Sequence, residues 1–268
     1  MTFKEYFGDW SKVIDEQETL KIMHWLKDVN PEILCPAKQN IFRAFKLCPL
    51  KDCKVIMLGL DPYPQKGVAT GILFGNSADT PEERLSPSLQ VVKESIINYE
   101  IPHNRIEFDN TMESLAKQGI LLINSALTCE VNKIGSHTAI WRDFISKLLR
   151  NFSYNNPGTI FILFGNQASS FKSSIVGSQN ILECYHPAYY ARNNSRMPSD
   201  VFIKAKELSK YDYLSNHDSD DFIEVTEWAN GEGITVAINE KIYELTYGQL
   251  DAINYLSQAL RYESIKEN

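Results

Sequence analysis

Residues 55–64 read VIMLGLDPYP, and this stretch decides the fold class. It begins with four apolar residues and continues with glycine and two prolines, a pattern typical of a buried parallel strand that ends in a turn. Parallel sheets bind ligands at the carboxyl ends of their strands, so Asp61 is a candidate active-site carboxylate. The prolines restrict the backbone on both sides of Tyr63, which predicts a stiff loop. An Asx turn at a strand end remains the alternative.

Similar apolar runs recur along the chain and alternate with stretches of helical period. Buried strands are predicted at Lys54–Leu58, Ile120–Asn124, Thr159–Phe164 and Asn180–Cys184. Helices are predicted at Glu16–Val29, Gln39–Leu47, Ser88–Tyr99, Thr111–Lys117, Trp141–Phe152 and Ser199–Tyr211. This alternation indicates an α/β fold, a three-layer α/β/α arrangement around a central, mainly parallel four-stranded sheet.

The sequence changes character after Tyr213, where a polar linker begins. Two or three short strands and a helix are predicted beyond it, at Phe222–Thr226, Ile234–Ile238, Lys241–Leu245 and Thr246–Tyr262, with a hairpin turn at Asn230–Gly233. We therefore expect a main domain over residues 1–213 and a small C-terminal α+β extension over 214–268. The extension has no assigned role beyond a contact for a protein partner.

Composition limits the class of protein. The 268 residues are 43% hydrophobic, enough for one domain core and an appendage. The net charge of −7 disfavours nucleic acid only weakly, because the charge on the contact face decides binding and acidic residues are concentrated in 212–227, beyond the expected core. Five cysteines without a Cys-x-x-Cys pair argue against a disulfide framework and a regular metal site. No signal-peptide pattern or membrane span is visible, so we expect a soluble cytoplasmic monomer.

Polar residues follow each predicted strand. Asp61 and Tyr63 follow the first strand, Asn124 ends the second, Gly165 and Asn166 follow the third, and His186 follows the fourth. Because the carboxyl ends of parallel strands lie along one edge of a sheet, these side chains are expected to converge. An acid, an imidazole and an amide suit acid–base chemistry and recognition of an amide-like ring edge. Taken singly, each has a structural alternative: a helix cap for the asparagine and a buried imidazole for the histidine.

The order and spacing of these motifs resemble those of the uracil-DNA glycosylases. The resemblance spans about Asp52 to Arg192 and does not include the C-terminal extension. It is carried by Gly59–Pro64, Phe74, Leu121–Thr128, Ser136-His137 and His186-Pro187.

The resemblance implies a pocket for a uracil base flipped out of DNA, with no metal or other cofactor. Asp61 is then the catalytic carboxylate that positions water and stabilises the cationic sugar. His186 donates a hydrogen bond to uracil O2, and Asn124 recognises O4 and N3. Tyr63 occupies the space that a thymine methyl group needs, and Phe74 stacks on the base.

The same resemblance implies contacts with single- or double-stranded uracil-containing DNA. Pro87 and Ser88 correspond to a proline-containing loop that bonds a phosphate. Gly165 and Asn166 correspond to a glycine–serine loop, with asparagine in place of serine. Ser136 and His137 add a backbone contact near the extruded nucleotide, and Arg192 supplies positive charge.

Two departures separate this chain from the common cellular pattern. Leu60, which we count among the uracil-binding residues, replaces glutamine, and Pro64 replaces a histidine that assists the reaction. Poxvirus members of the family also carry an aliphatic residue and proline at these places. Tyr190 aligns with the leucine that fills the gap left by the flipped base, and either intercalates or packs against the domain.

These departures keep a second hypothesis open. A glycosylase scaffold that lost its activity would act as a DNA- or protein-binding module, with the C-terminal extension as the contact. An assay for uracil release separates the two hypotheses.

Overall fold

The computed structural model describes residues 2–97, 108–178 and 180–215, together with two strands at 234–238 and 241–245. Its helices are α1 (Phe3–Phe7), α2 (Glu16–Asp28), α3 (Arg43–Leu47), α4 (Pro87–Ile97), α5 (Glu113–Lys117), α6 (Thr138–Asn155), α7 (Gly165–Ser169), α8 (Pro187–Arg192) and α9 (Asp200–Ser215). Its strands are β1 (Leu34–Cys35), β2 (Val55–Gly59), β3 (Ile120–Asn124), β4 (Cys129–Glu130), β5 (Ile160–Phe164), β6 (Ile181–Cys184), β7 (Ile234–Ile238) and β8 (Lys241–Leu245).

The four predicted strands form one parallel sheet in the order β3-β2-β5-β6. Val55 pairs with Ile120 on one side and with Ile160 on the other, so β2 lies in the interior of the sheet. Every residue of β2, β3 and β5 is buried, which explains why these strands appear as continuous apolar runs. The predicted parallel sheet is confirmed.

Helices cover both faces of this sheet. Alternate strand residues point to opposite faces, so Ile56 joins one apolar cluster and Met57 joins the other. The first cluster contains residues of α2, α3 and α6, including the buried Trp141. The second contains residues of α4, α5 and α9, including Phe202. The predicted three-layer α/β/α arrangement is confirmed.

The six predicted helices are all observed within a few residues, although α1, α7 and α8 were not predicted and the last two residues of the predicted helix Ser88–Tyr99 lie outside the described residues. Two differences are informative. The stretch predicted as one helix at Gln39–Leu47 is a 3-10 turn at Lys38–Asn40 followed by α3. The last helix of the main domain, α9, continues through Ser215 and therefore passes the predicted domain boundary at residue 213. The small antiparallel pair β1–β4 was not predicted, because strands of two residues carry no periodic signal.

In the predicted C-terminal extension, β7 and β8 pair antiparallel, with Ile234 opposite Leu245 and Ile238 opposite Lys241. Two of the predicted short strands are thus present and paired. The predicted strand at Phe222–Thr226, the turn at Asn230–Gly233 and the helix at Thr246–Tyr262 lie outside the described residues.

Across the described ranges, no helix combines the length and apolarity needed to cross a bilayer. All five cysteines are free thiols. Within the same ranges, no group of three or more His, Cys, Asp or Glu side chains is arranged to hold a metal ion.

Candidate active site

The carboxyl ends of the parallel strands border one cavity of about 590 Å³. Asp61 follows β2 and His186 follows β6, and both line this cavity although they lie far apart in the chain. The parallel order of the strands brings the two together. The cavity is also lined by these predicted site residues: Leu60, Tyr63, Phe74, Pro87, Ser88, Asn124 and Arg192.

Asp61 is half-buried and is held by a backbone donor. The N–H of Gly135 donates to Asp61 Oδ2 at 2.6 Å. Burial raises the pKa of Asp61 from its ordinary 3.8, and the Gly135 hydrogen bond offsets part of this rise. Among the residues that the structure describes, no group donates to Oδ1, so this oxygen is available to accept a hydrogen bond from a bound water.

The loop that carries Asp61 is fastened to the segment after β3. The Leu60 carbonyl accepts hydrogen bonds from Ala126 N at 3.0 Å and from Ser125 Oγ at 2.8 Å. The Cys129 thiol donates to the Pro62 carbonyl at 3.3 Å. These bonds hold the backbone on both sides of Asp61, which supplies the rigidity that the prolines predict.

Tyr63 and Phe74 form a second, aromatic part of the cavity wall. Tyr63 Oη donates to the Phe74 carbonyl at 2.9 Å, and burial raises the pKa of Tyr63, so the phenol stays neutral. Phe74 has a left-handed backbone, with φ of 62°. Its ring meets the His186 ring edge to face, with centroids 5.7 Å apart and an interplanar angle of 71°. Tyr63 is thus fixed in place, and Phe74 presents its ring beside the imidazole.

Asn124 is the last residue of β3 and is only 9% exposed. It lies opposite Gly59 in the sheet register, and a Cβ on Gly59 would lie 2.6 Å from Asn124 Oδ1. Glycine at position 59 therefore leaves the space that the amide occupies. Within the described residues, Oδ1 of Asn124 has no hydrogen-bond partner. A buried acceptor without a partner costs free energy, which a ligand carrying a donor would recover.

His186 caps the amino end of α8. Its Nδ1 accepts a hydrogen bond from the Ala188 N–H at 3.2 Å, which leaves the ring proton on Nε2. Burial, together with a smaller effect of the positive charge of Arg192, lowers the pKa of His186 to about 4. The cavity thus contains a neutral imidazole with an N–H donor.

Pro87 and Ser88 begin α4 at the edge of the cavity, and Ser88 is buried. The preceding Ser86 is fixed by Asn76: Ser86 N donates to Asn76 Oδ1 at 2.8 Å, and Asn76 Nδ2 donates to Ser86 Oγ at 3.0 Å. The start of α4 is thus attached to a rigid loop.

Gly165 and Asn166 begin α7 directly after β5 and line a second cavity of about 630 Å³. Gly165 has φ of 81°, and a Cβ there would lie 3.0 Å from His186 Cβ. Glycine is therefore needed for both the backbone turn and the close approach to His186.

Ser136 and His137 do not line the first cavity. Ser136 Oγ accepts a hydrogen bond from Glu130 N at 2.8 Å. His137 is 4% exposed, and its Nδ1 is 2.9 Å from Thr128 Oγ1. The His137 side chain is therefore part of the core, whereas Ser136 is exposed.

The position of Tyr190 follows from the short helix α8. Ala188, Ala191 and Arg192 share the face that lines the first cavity, because residues three and four apart lie on one side of a helix. Tyr190 lies on the other side, packs against the second apolar cluster and lines the second cavity. Of the two interpretations of this tyrosine, its position matches packing against the domain.

Other cavity residues were missed by sequence reasoning. Gly135, which holds Asp61, has φ of 73°, and the exposed Ile134 beside it lines the cavity. A glycine directly before the Ser136-His137 pair was the available signal. Leu127, which lies within the Leu121–Thr128 motif but was given no role, and Arg84, which carries no motif signal, also line the cavity.

The fold and the site define an α/β/α domain in which one pocket holds an acid, an amide and a neutral imidazole. Residues 45–208 match the family model described as the uracil DNA glycosylase superfamily. The uracil-DNA glycosylase of Borreliella burgdorferi is 36% identical over 220 residues, covering 80% of this chain and 88% of that protein. That of Campylobacter jejuni is 33% identical over 211 residues, covering 75% of this chain and 88% of that protein.

Solved structures agree at the level of the fold. The crystal structure of mimivirus uracil-DNA glycosylase aligns with a TM-score of 0.52 and 21% identity, covering 70% of this chain and 75% of that chain. Family model and curated relatives together lead to one conclusion: the chain belongs to the uracil-DNA glycosylase superfamily.

Proposed function

We propose that this protein hydrolyses the N-glycosidic bond between uracil and deoxyribose in DNA, releasing free uracil and leaving an abasic site. One observation carries the proposal: Asp61, Asn124 and His186, from the ends of three strands, line one cavity. Membership of the superfamily and the activity named for its relatives support uracil as the base.

Asp61 acts on the sugar side of the bond. As the bond between C1′ and the base nitrogen breaks, its electron pair leaves with uracil and positive charge develops on the deoxyribose. The Asp61 carboxylate stabilises this charge and orients a water molecule, which adds to C1′ and releases a proton that balances the negative charge of the departing uracil. The hydrogen bond from Gly135 to Oδ2 fixes the carboxylate.

His186 acts on the base side. Negative charge grows on uracil as the bond breaks, and Nε2–H of the neutral imidazole donates to O2, where part of this charge lies. The Ala188 N–H bonded to Nδ1 supports this assignment, since it leaves the proton on Nε2. A ring with a pKa of about 4 holds this form throughout the neutral range.

Asn124, Tyr63 and Phe74 select the base. The unpaired Oδ1 of Asn124 accepts from uracil N3–H, and its amide group donates to O4; cytosine presents the opposite pattern at this edge. Tyr63, fixed through the Phe74 carbonyl, occupies the space beside C5 that thymine would need for its methyl group. Phe74 stacks on the base.

The DNA strand is held by small polar groups. Ser88, the backbone at Ser136, and the loop of Gly165 and Asn166 bond phosphates on either side of the extruded nucleotide, and Arg192 adds positive charge. Backbone amides and short side chains suit this role because phosphates approach them closely without regard to base identity.

Leu60 and Pro64 are compatible with activity in this proposal. The backbone carbonyl of Leu60 accepts the hydrogen bonds from Ser125 and Ala126 that fix the loop. These bonds do not depend on the side chain at position 60. Proline at position 64 lacks the imidazole of the common pattern, and we expect a slower chemical step for that reason.

We further propose that residues 1–213 form the glycosylase domain, which acts as a monomer in the cytoplasm. Residues 214–268 form a separate extension that contacts a protein partner. The acidic composition of residues 212–227 supports this division, because such a composition is more typical of a solvated linker than of an apolar core.

A uracil-release assay on the full-length protein tests the proposal. Single- and double-stranded oligonucleotides containing uracil should yield free uracil and an alkali-sensitive abasic site, and Asp61→Asn should abolish most of the release. A folded parent protein that releases no uracil at high enzyme concentration would overturn the proposal and favour a binding module.

A further inference from the structure

Tyr185 and Tyr189 form an exposed aromatic pair beside the cavity. Their rings are stacked, with centroids 4.8 Å apart and an interplanar angle of 25°. Tyr185 is 62% exposed and Tyr189 is 44% exposed. Contiguous exposed aromatic surface of this kind marks a candidate interaction site.

Tyr190 supports this pair from the protein side. It meets Tyr189 nearly edge on, with centroids 5.4 Å apart and an angle of 85°, and it contacts Tyr185 at 6.4 Å and 72°. Since Tyr190 itself packs against the second apolar cluster, the exposed pair rests on the domain core. Its ring faces are therefore held in place before any ligand arrives.

The pair is continuous with the proposed active site. Tyr185 directly precedes His186, which lines the first cavity, and Tyr189 lies on α8 one turn before the exposed Arg192. Tyr185 also lines the second cavity together with Gly165 and Asn166, the loop proposed to bond phosphates.

The charged groups beside the pair suit a polyanionic ligand, because the cations Lys172, Lys204 and Arg192 outnumber the acids Glu183 and Asp200. Glu183, the nearest acidic residue along β6, is paired with Lys172 at 2.5 Å, so its negative charge is compensated. Arg192 supplies positive charge on the side of the first cavity.

We propose that Tyr185 and Tyr189 form a stacking platform for a nucleobase adjacent to the extruded uridine on the same DNA strand. The proposal rests on the proposed function, which brings that strand across the mouth of the cavity. Every base has an aromatic face, so the platform accepts any neighbour and is suited to unpaired strands. The three tyrosines thereby have different roles: Tyr190 packs beneath the platform, and Tyr185 and Tyr189 contact the DNA.

The test measures binding and turnover with single-stranded DNA. The binding probe is a short oligonucleotide with a tetrahydrofuran abasic-site analogue, followed by fluorescence anisotropy. Tyr185→Ala and Tyr189→Ala should each weaken binding by about 5- to 150-fold, the loss measured for a base–aromatic stack. Tyr185→Phe and Tyr189→Phe keep the ring face and should bind like the parent.

A matched control comes from α6. Tyr154 is 77% exposed and lies near the carboxyl end of that helix, so Tyr154→Ala removes an exposed tyrosine that lines neither cavity. It should leave binding unchanged. Thermal unfolding of each variant checks that the domain is intact.

Two results would overturn the platform: alanine variants that bind like the parent, or phenylalanine variants that lose as much affinity as alanine, which would indicate a hydroxyl contact instead. Loss of a protein partner from the alanine variants with unchanged DNA binding would assign the pair to a protein contact and also overturn it. Failure of the proposed function is separate, because it appears as a parent that binds the probe but releases no uracil.

Discussion

The backbone N–H of Gly135 donates to Asp61 Oδ2 at 2.6 Å, which joins the loop after β2 to the loop before α6. This bond opposes the effect of burial: burial raises the pKa of the carboxyl group, and the donor stabilises its charged form. Asp61 therefore combines a partly desolvated charge with a fixed orientation, two properties useful for stabilising a cationic transition state.

The rate of uracil release should fall in acid because of Asp61. Only the ionised carboxylate stabilises the sugar cation, and burial raises its pKa from the ordinary 3.8. The decline should therefore begin at a higher pH than an exposed aspartate would give. Single-turnover rates of uracil release across the acidic range measure this fall, which is the acidic limb of the pH–rate profile. Asp61→Asn should reduce the rate by about 10²- to 10⁴-fold and remove the limb. A parent rate that stays level down to pH 3.8 would contradict the assignment.

Asp61→Asn should also change stability, in the direction opposite to activity. A raised pKa means that the folded state binds the proton more tightly than the unfolded state, so parent stability falls as pH rises between the two pKa values. This loss persists at neutral pH. The variant lacks the charge and should be as stable as the parent or more stable at pH 7, and its advantage should shrink in acid. Thermal unfolding of the parent and of Asp61→Asn, at pH 7 and in acid, measures the difference in stability between them. A variant that is less stable than the parent at pH 7 would argue against a desolvated carboxylate.

His186 should remain neutral at pH 6, because burial and Arg192 lower its pKa to about 4. The imidazole resonances followed by NMR should shift near that pH and not near 6.5. His186→Leu removes the donor to uracil O2 and should slow release by about 10²- to 10³-fold. The parent should gain stability as pH rises from about 4 toward 6.5, where the unfolded state binds more protons, and the variant should lack this gain. Titration near 6.5 would contradict the buried, capped geometry.

Tyr63→Ala should enlarge the cavity and admit thymine. Tyr63→Phe is the matched control, since it loses the hydrogen bond to the Phe74 carbonyl but keeps the ring. We expect detectable thymine release from ordinary DNA only with the alanine variant. Its uracil release should fall as well, because a loosely filled pocket positions the base poorly. Thymine release by the phenylalanine variant at the same rate would show that ring volume is not the selective feature.

Gly165→Ala should lower the rate of uracil release in addition to lowering the stability of the fold through backbone strain. Its Cβ would lie 3.0 Å from His186 Cβ, so the imidazole has to move. Gly177→Ala is the control: φ is 77° there, close to the 81° of Gly165, but a Cβ would meet only Ser153 O at 4.0 Å. Both variants should lose about 1 kcal/mol or more of stability from the unfavourable φ. Uracil release at temperatures where both are folded should fall only for Gly165→Ala, and equal rates for both would contradict the prediction.

Much of the fold was visible in the sequence because the deciding signals are local. Apolar runs such as Val55–Leu58 mark strands buried on both faces, and their alternation with helical periods specifies a parallel sheet. Parallel strands place their carboxyl ends together, so the sequence predicts Asp61 and His186 in one pocket. The pair β1–β4 escaped prediction, because two-residue strands are created by tertiary pairing and not by local preference.

By itself, then, the sequence determined the layered sheet and the set of strand ends that border the cavity. The tertiary structure alone decided which atoms act there. Two hydrogen bonds depend on how the loops pack: the bond from Gly135 N–H to Asp61 and the bond from Ala188 N–H to His186 Nδ1. No local sequence pattern encodes this packing. The rotation of α8, set where His186 caps it, turned Tyr190 inward and left Tyr189 at the surface. Successive residues differ in direction by about 100° along a helix, so alignment alone could not decide which face of α8 Tyr190 occupies.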